Sequence, residues 1–177
     1  MTKPLVLFLG NSILADDRIG LIVGETLEEK LRAEGNDVEV IEKCGFSLLD
    51  YLEGRHRVVI VDSVRTSNHE VGDIVAIGPE DFRSYAPFSS HYAGIPESIE
   101  LMKKVDLEPP TDLTVLGIEV EDPYTVSLSI SEKLQRELPR ITQRVHEAIT
   151  SSAPSEPVQR NYIIYENADN GFSRNEV

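Results

Sequence analysis

The first apolar run of the chain covers Leu5–Leu9, and an unbroken run of this length is typical of a strand buried on both faces. Gly10 and Asn11 follow it, and both residue types tolerate the left-handed backbone of a sharp turn. The next apolar residues recur with the period of a helix and share one face: Ile19, Ile22, Val23, Leu27 and Leu31. The pattern predicts a buried strand, a turn and an amphipathic helix, the first unit of an α/β fold.

Later apolar segments extend this α/β pattern. Strands are predicted at Val38–Ile41, Arg57–Asp62 and Asp112–Val120, and helices at Tyr92–Val105 and from Ile130 to Ala148. The segment Gly72–Gly78 follows the third strand with no helix between them, and so short a connection favours an antiparallel strand. Pro139 is expected to kink or split the last helix.

The length of the chain, 177 residues, is sufficient for one domain with a proper core. From Ser151 the composition changes to a Ser/Pro-rich stretch that ends at Pro157, and a polar tail follows. We therefore expect a folded domain over residues 1–150, and a linker and tail over residues 151–177.

The chain is strongly acidic: 31 acidic residues against 17 basic ones give a formal net charge of −14. This excess disfavours nucleic-acid phosphate and anionic lipid as partners and favours cationic or metal-bearing ones. No apolar run approaches the roughly 20 residues that span a bilayer, and no secretory signal is visible at the N-terminus. The single cysteine, Cys44, excludes an internal disulfide and is expected to be a small buried hydrophobe. These features predict a cytoplasmic protein.

Two adjacent acids, Asp16 and Asp17, precede the first helix at the carboxyl end of a central strand, where ligands bind in open α/β sheets. One of them could serve as a helix N-cap, but only one can occupy the cap, and adjacent like charges repel. The Gly10-Asn11 turn is too sparse for a dinucleotide fingerprint and lacks the Lys-Ser/Thr of a phosphate loop. The pair therefore predicts a metal or acid/base site.

Asp62 and His91 are candidates for the same site. Asp62 ends the predicted third strand, and although such a residue can simply cap a turn, parallel strands bring it to the same sheet edge as Asp17. His91 lies at the predicted junction of a loop and a helix, where a lone histidine is more often structural than catalytic. Together the three residues form a set of N and O donors that suits a divalent ion such as nickel or zinc.

With these residues the chain resembles the NiFe-hydrogenase maturation endopeptidases. The similarity covers residues 4–149 and includes Leu9-Gly10-Asn11, Asp16-Asp17, Val61-Asp62, Gly72-Asp73-Ile74, His91 and Leu128-Ser129. The resemblance implies a three-layer α/β/α sandwich around a five-stranded mixed sheet with one antiparallel strand. It departs at Arg18, where many members carry glycine, and around Lys43-Cys44-Gly45, where only the glycine corresponds.

The resemblance also implies an activity. Such aspartic-type endopeptidases remove a short C-terminal extension from the hydrogenase large-subunit precursor after nickel has been inserted. Asp17, Asp62 and His91 match the family positions proposed to bind that nickel and to support catalysis. The nickel would arrive with the precursor and would not be a resident cofactor, and Asp16 would cap or position the first helix.

Two other functions fit the same residues. One is a metal-dependent hydrolase that acts on another substrate, and it would carry a resident metal. The other is a nickel-binding chaperone that holds the precursor without cutting it.

Overall fold

The computed structural model describes residues 2–42, 45–78, 81 and 95–151. The strands are β1 (Leu5–Leu9), β2 (Asp37–Ile41), β3 (Arg57–Val64), β4 (Ile74–Ile77) and β5 (Asp112–Glu119). The helices are α1 (Ile19–Ala33), α2 (Leu49–Leu52), α3 (Ile95–Lys104) and α4 (Glu132–Thr150), with 3-10 turns at Asp16–Arg18 and Gly45–Leu48. No helix among these residues is long and apolar enough to cross a membrane.

The five strands form one mixed sheet in the order β2-β1-β3-β5-β4. β2, β1, β3 and β5 run parallel, and β4 pairs antiparallel to β5, which confirms the prediction for the segment between Gly72 and Gly78. The turn before β4 is held by the Gly72 amide, which donates to the Glu119 carbonyl of β5 at 2.8 Å. Gly72 has a φ of 89° in this turn. A glycine takes up this left-handed conformation without a steric penalty.

Helices cover both faces of the sheet, as expected for an α/β/α sandwich. One core cluster joins α1 and α4 to the sheet through side chains such as Val23, Val61 and Ile141. The second cluster lies on the opposite face and includes Ile60, Leu52 of α2 and Met102 of α3. Successive β3 residues alternate between the two clusters, as the pleat of a strand requires.

Glycines allow α1 to lie unusually close to the sheet. A Cβ atom at Gly20 would lie 1.9 Å from the Leu9 carbonyl oxygen, and one at Gly24 would lie 2.7 Å from Cβ of Phe8. Any larger residue at position 20 would therefore push the helix away. This close approach sets the first turn of α1 directly over the carboxyl ends of β1 and β3.

Two predicted elements differ in the structure. β3 continues two residues beyond Asp62, because its pairing with β5 extends as far as Val64 and Glu119. α4 runs unbroken through Pro139, so of the predicted kink or split, the split is wrong. Pro139 is exposed and supplies no N–H to the preceding turn, and the buried side chains of α4 hold the helix on the sheet despite this missing bond. The predicted linker and tail lie outside the described residues from position 152 onward.

Candidate active site

The candidate site lies where β1 ends and β3 continues. β1 pairs with β3 only as far as Val61, so Asp62 and Ser63 extend past the last paired residue of β1. The turn between Gly10 and Arg18 occupies the space next to them. A Cβ at Gly10 would lie 2.7 Å from the Asp17 carbonyl oxygen, so the glycine lets this turn fold back on itself. The sequence thus brings Asp17 to the carboxyl end of β3.

Asp17 and Asp62 are both buried, and Ser63 donates a hydrogen bond to each of them. Asp62 is fully buried and Asp17 is 5% exposed. The Ser63 hydroxyl donates to Oδ1 of Asp17 at 2.5 Å, and the Ser63 amide donates to Oδ1 of Asp62 at 2.8 Å. The structure therefore brings together two of the three predicted site residues, through a serine that the sequence analysis did not single out.

The ligand set cannot be completed within the described residues. His91 lies outside them, so the predicted association of His91 with the two acids stays a prediction. Within the part of the chain that the structure describes, no group of three histidine, cysteine, aspartate or glutamate side chains is placed to hold a metal ion. Cys44 also lies outside the described residues.

Asp16 has a different structural role from Asp17. Its Oδ1 accepts the Ser131 amide at 2.6 Å, and its Oδ2 accepts the amides of Asp122 and Glu121 at 3.0 and 3.3 Å. The N-cap of α1 is Arg18, whose side chain makes no capping bond, so of the two expected roles of Asp16, capping or positioning that helix, the capping role is wrong. The fully buried carboxylate instead fixes the loop between β5 and α4, since a buried charge needs such donors.

Glu119 is a second structural acid at this sheet edge. It is 1% exposed and accepts hydrogen bonds from the amides of Thr66 and Ser67, both at 2.8 Å, and from the Thr66 hydroxyl at 2.6 Å. These bonds hold the loop that follows Asp62 and Ser63, and Ser67 has a positive φ of 61° there. The sequence signal was available, because Glu119 follows an apolar run just as Asp62 does.

The loop between β5 and α4 also exposes apolar side chains beside the site. Leu14 and Val126 form an antiparallel bridge, supported by the Ala15 amide on the Thr125 carbonyl at 2.8 Å and the Ser127 amide on the Ile13 carbonyl at 3.0 Å. Three apolar residues at every second position of this loop are exposed: Tyr124 by 63%, Val126 by 77% and Leu128 by 79%. We call these three side chains the apolar stripe.

Two arginines contact residues of the stripe, and one glutamate holds the loop after β1. Arg18, the departure from the family pattern, donates to the Leu128 carbonyl, and Arg65 lies 5.7 Å from the centre of the Tyr124 ring. The amide and hydroxyl of Ser12 each donate to Glu42 at 3.0 Å, and these bonds hold the pKa of Glu42 below its usual range. The loop after β1 is therefore tied to the end of β2 on one side and to the β5–α4 loop on the other.

Comparison with known proteins decides the family. The family model for hydrogenase maturation proteases matches residues 21–148, a range that includes Asp62 and His91 and begins just after Asp17. The chain belongs to the hydrogenase maturation protease family. It is thus a member of a family of peptide hydrolases.

Individual members of the hydrogenase maturation protease family agree with this assignment. The hydrogenase 2 maturation protease of Escherichia coli is 26% identical over 162 residues, which cover 85% of this chain and 98% of that protein. Protein FrxA of Pyrococcus furiosus is 28% identical over 136 residues, which cover 75% of this chain and 94% of that protein.

Solved structures support the fold of the hydrogenase maturation proteases for this chain. The maturating endopeptidase HybD of Escherichia coli superposes with a TM-score of 0.67 at 20% identity, covering 84% of this chain and 92% of that one. HybD of Thermococcus kodakarensis gives a TM-score of 0.63 at 21% identity, covering 82% and 98%. The α/β sandwich with one antiparallel strand is the fold that the sequence resemblance implied.

Proposed function

We propose that this endopeptidase removes a C-terminal extension from the large-subunit precursor of a NiFe-hydrogenase once nickel is in place. The observation that carries the proposal is the pair Asp17 and Asp62, which share Ser63 at the carboxyl end of the sheet. Two acids brought together by a buried serine form a site for a cation that arrives from outside. Family membership supports a hydrogenase precursor as the substrate.

Nickel in this proposal is part of the substrate. Asp17, Asp62 and His91 would complete the coordination of the ion that the precursor carries, and only a loaded precursor would then be held for cleavage. Carboxylate oxygen and imidazole nitrogen suit nickel as ligands. The bound ion would polarise the scissile carbonyl or activate a water molecule, or one of the carboxylates would act as the general base.

The apolar stripe offers a place for the precursor next to these acids. Exposed apolar side chains at three alternate positions are unusual on a surface loop of an acidic chain and mark an interaction site. Asp16 fixes the loop that carries the stripe, and Asp17 is its neighbour in sequence, so the stripe and the acids keep a constant relative position. We propose that an extended segment of the precursor binds along Tyr124, Val126 and Leu128.

The test is incubation of the purified protein with two preparations of one hydrogenase large-subunit precursor, one loaded with nickel and one free of it. Intact-mass analysis then reports the length of the precursor at successive times. We expect a loss of mass that equals a C-terminal peptide, and only in the nickel-loaded sample.

Three results would contradict this function. Equal shortening of both preparations would remove the nickel requirement. Binding of the loaded precursor without any shortening would favour a chaperone. Hydrolysis of unrelated peptides by a protein with resident metal would favour a general metal-dependent hydrolase.

A further inference from the structure

Ser63 contacts both acids of the site with two different groups. Its hydroxyl lies 2.5 Å from Asp17 and its amide lies 2.8 Å from Asp62, and the residue itself is only 2% exposed. A hydroxyl that donates to a carboxylate at this distance forms a charge-assisted hydrogen bond, which is shorter and stronger than a neutral one. Ser63 thus couples the 3-10 turn that carries Asp17 to the end of β3.

The geometry of β3 explains why a serine at this position can reach both acids. Side chains alternate along a strand, so Ser63 lies on the same face as Val61, which packs against α1, whereas Asp62 lies on the face of Ile60. The side chain of Ser63 therefore meets Asp17 in the 3-10 turn before α1, and its backbone amide bonds to Asp62. A residue without a hydroxyl would keep the bond to Asp62 and lose the bond to Asp17.

We propose that Ser63 is a positioning residue for the cleavage reaction, since its hydroxyl holds the Asp17 carboxylate in one orientation while its amide bonds to Asp62. This inference rests on the function proposed above. Catalytic groups act only when they are held close to the productive geometry by neighbours whose own positions are fixed. Ser63 is fixed because it is buried within a strand that pairs with β5 through Ile118.

The test compares Ser63→Ala with a matched control, Ser98→Ala. Both serines are buried, but the Ser98 hydroxyl in α3 has no hydrogen-bond partner among the residues that the structure describes, so its loss removes the same atom without affecting the two acids. We measure kcat and KM for cleavage of the nickel-loaded precursor, and Tm for each variant. Loss of a residue that orients a ligand typically lowers activity about 10–100-fold, and we expect such a fall in kcat for Ser63→Ala, accompanied by a rise in KM because Asp17 is also a proposed ligand of the ion that the precursor carries. Ser98→Ala should keep the wild-type kcat.

Two further variants separate the hydroxyl from the volume of the side chain. Ser63→Cys keeps nearly the same size but offers only a weak donor, so it should be impaired like Ser63→Ala. Ser63→Thr retains the hydroxyl and should recover most of kcat. If Ser63→Thr fails to fold, the comparison between Ser63→Cys and wild type still separates the two explanations.

Failure of this inference differs from failure of the proposed function. Cleavage by Ser63→Ala and Ser63→Cys at the wild-type kcat would overturn the positioning role, as would an equal loss in Ser98→Ala. A covalent adduct between Ser63 and a precursor fragment, seen by intact mass, would also overturn it, because Ser63 would then be a nucleophile. Wild-type protein that cleaves no precursor would instead refute the proposed function, and this inference with it.

Discussion

Oδ1 of Asp16 lies 2.6 Å from the backbone nitrogen of Ser131, a hydrogen bond that joins segments 115 residues apart. Ser131 is also the N-cap of α4, where its side chain accepts the Leu134 amide. Asp16 therefore ties the start of α4 to the turn that carries Asp17. The two adjacent acids have separate roles: Asp16 holds the scaffold, and Asp17 bonds to Ser63 in the site.

Asp16→Asn should destabilise the protein more than an exchange at a helix cap would. Asparagine keeps one acceptor oxygen but directs an amide group at a backbone N–H donor, so at least one buried donor loses its partner. Such a loss costs about 1–3 kcal/mol, to be measured by urea unfolding. The control is Asp112→Asn at the exposed start of β5, which should stay within about 0.5 kcal/mol of wild type. Equal stability of the two variants would contradict the role of Asp16.

Asp17→Asn should abolish cleavage and leave the fold intact. The amide oxygen still accepts the bond from Ser63, but the charge that attracts the metal is gone. We expect a fall of about 100-fold or more in processing of nickel-loaded precursor, with Tm near that of wild type. Asp17→Glu should retain some activity, because a longer carboxylate can still coordinate. Normal processing by Asp17→Asn, together with a folded but inactive Asp16→Asn, would reverse the two assignments.

Replacement of the apolar stripe should weaken substrate binding without slowing the chemistry. In the double variant Val126→Ser and Leu128→Ser, we expect KM for the precursor to rise about tenfold, equivalent to about 1.4 kcal/mol, while kcat stays near wild type. Val105→Ser, at an exposed apolar position directly after α3, is the control and should leave KM unchanged. A rise in KM in the control alone, or in neither protein, would exclude the stripe as the precursor-binding surface.

The bond between Ser12 and Glu42 predicts a dependence of stability on pH. These bonds lower the pKa of Glu42 in the folded state. The contribution of Glu42 to the free energy of unfolding is therefore fully present above about pH 4.3, the ordinary pKa of a glutamate. It is lost as the pH falls through the lower pKa of the folded state. Glu42→Gln should therefore lower Tm at pH 7, and the difference in Tm between this variant and wild type should shrink below about pH 4.

The control for Glu42 is Glu29→Gln on the exposed side of α1. The difference in Tm between Glu29→Gln and wild type should be the same across this pH range. A constant difference for Glu42→Gln as well would show that the bonds from Ser12 do not contribute through the charge.

Much of the fold could be predicted because the apolar runs of the strands are nearly continuous. β1 and β3 have buried residues at almost every position, and the short connection before β4 left an antiparallel pairing as the natural choice. The helix through Pro139 was misjudged because tertiary packing of its buried face outweighs one missing backbone bond. The strength of this packing depends on the sheet and α1 residues that α4 contacts, which lie far from Pro139 in the sequence.

The site was predicted only in part for the same reason. The paired acids at the sheet edge could be located from their positions at strand and helix ends. Asp16 bonds to the loop near Ser131, and Ser63 bonds to Asp17. Both contacts join residues 46 or more positions apart in the chain, and no local sequence pattern indicates them.

Glu119 and Thr66 should show a direct energetic coupling, because the Thr66 hydroxyl and amide both donate to the buried Glu119 carboxylate. Thr66→Val removes the hydroxyl but keeps the shape, and Glu119→Gln places an amide among backbone donors, so each variant should lose about 1–3 kcal/mol of stability. In a double-mutant cycle by urea unfolding, the pair should give a coupling energy of about 0.5–3 kcal/mol. A parallel cycle of Glu119 with Thr111, just before the opposite end of β5 and roughly 25 Å away, should give none. Equal coupling in both cycles would mean that Glu119 acts on the whole sheet and does not specifically hold the loop after Asp62.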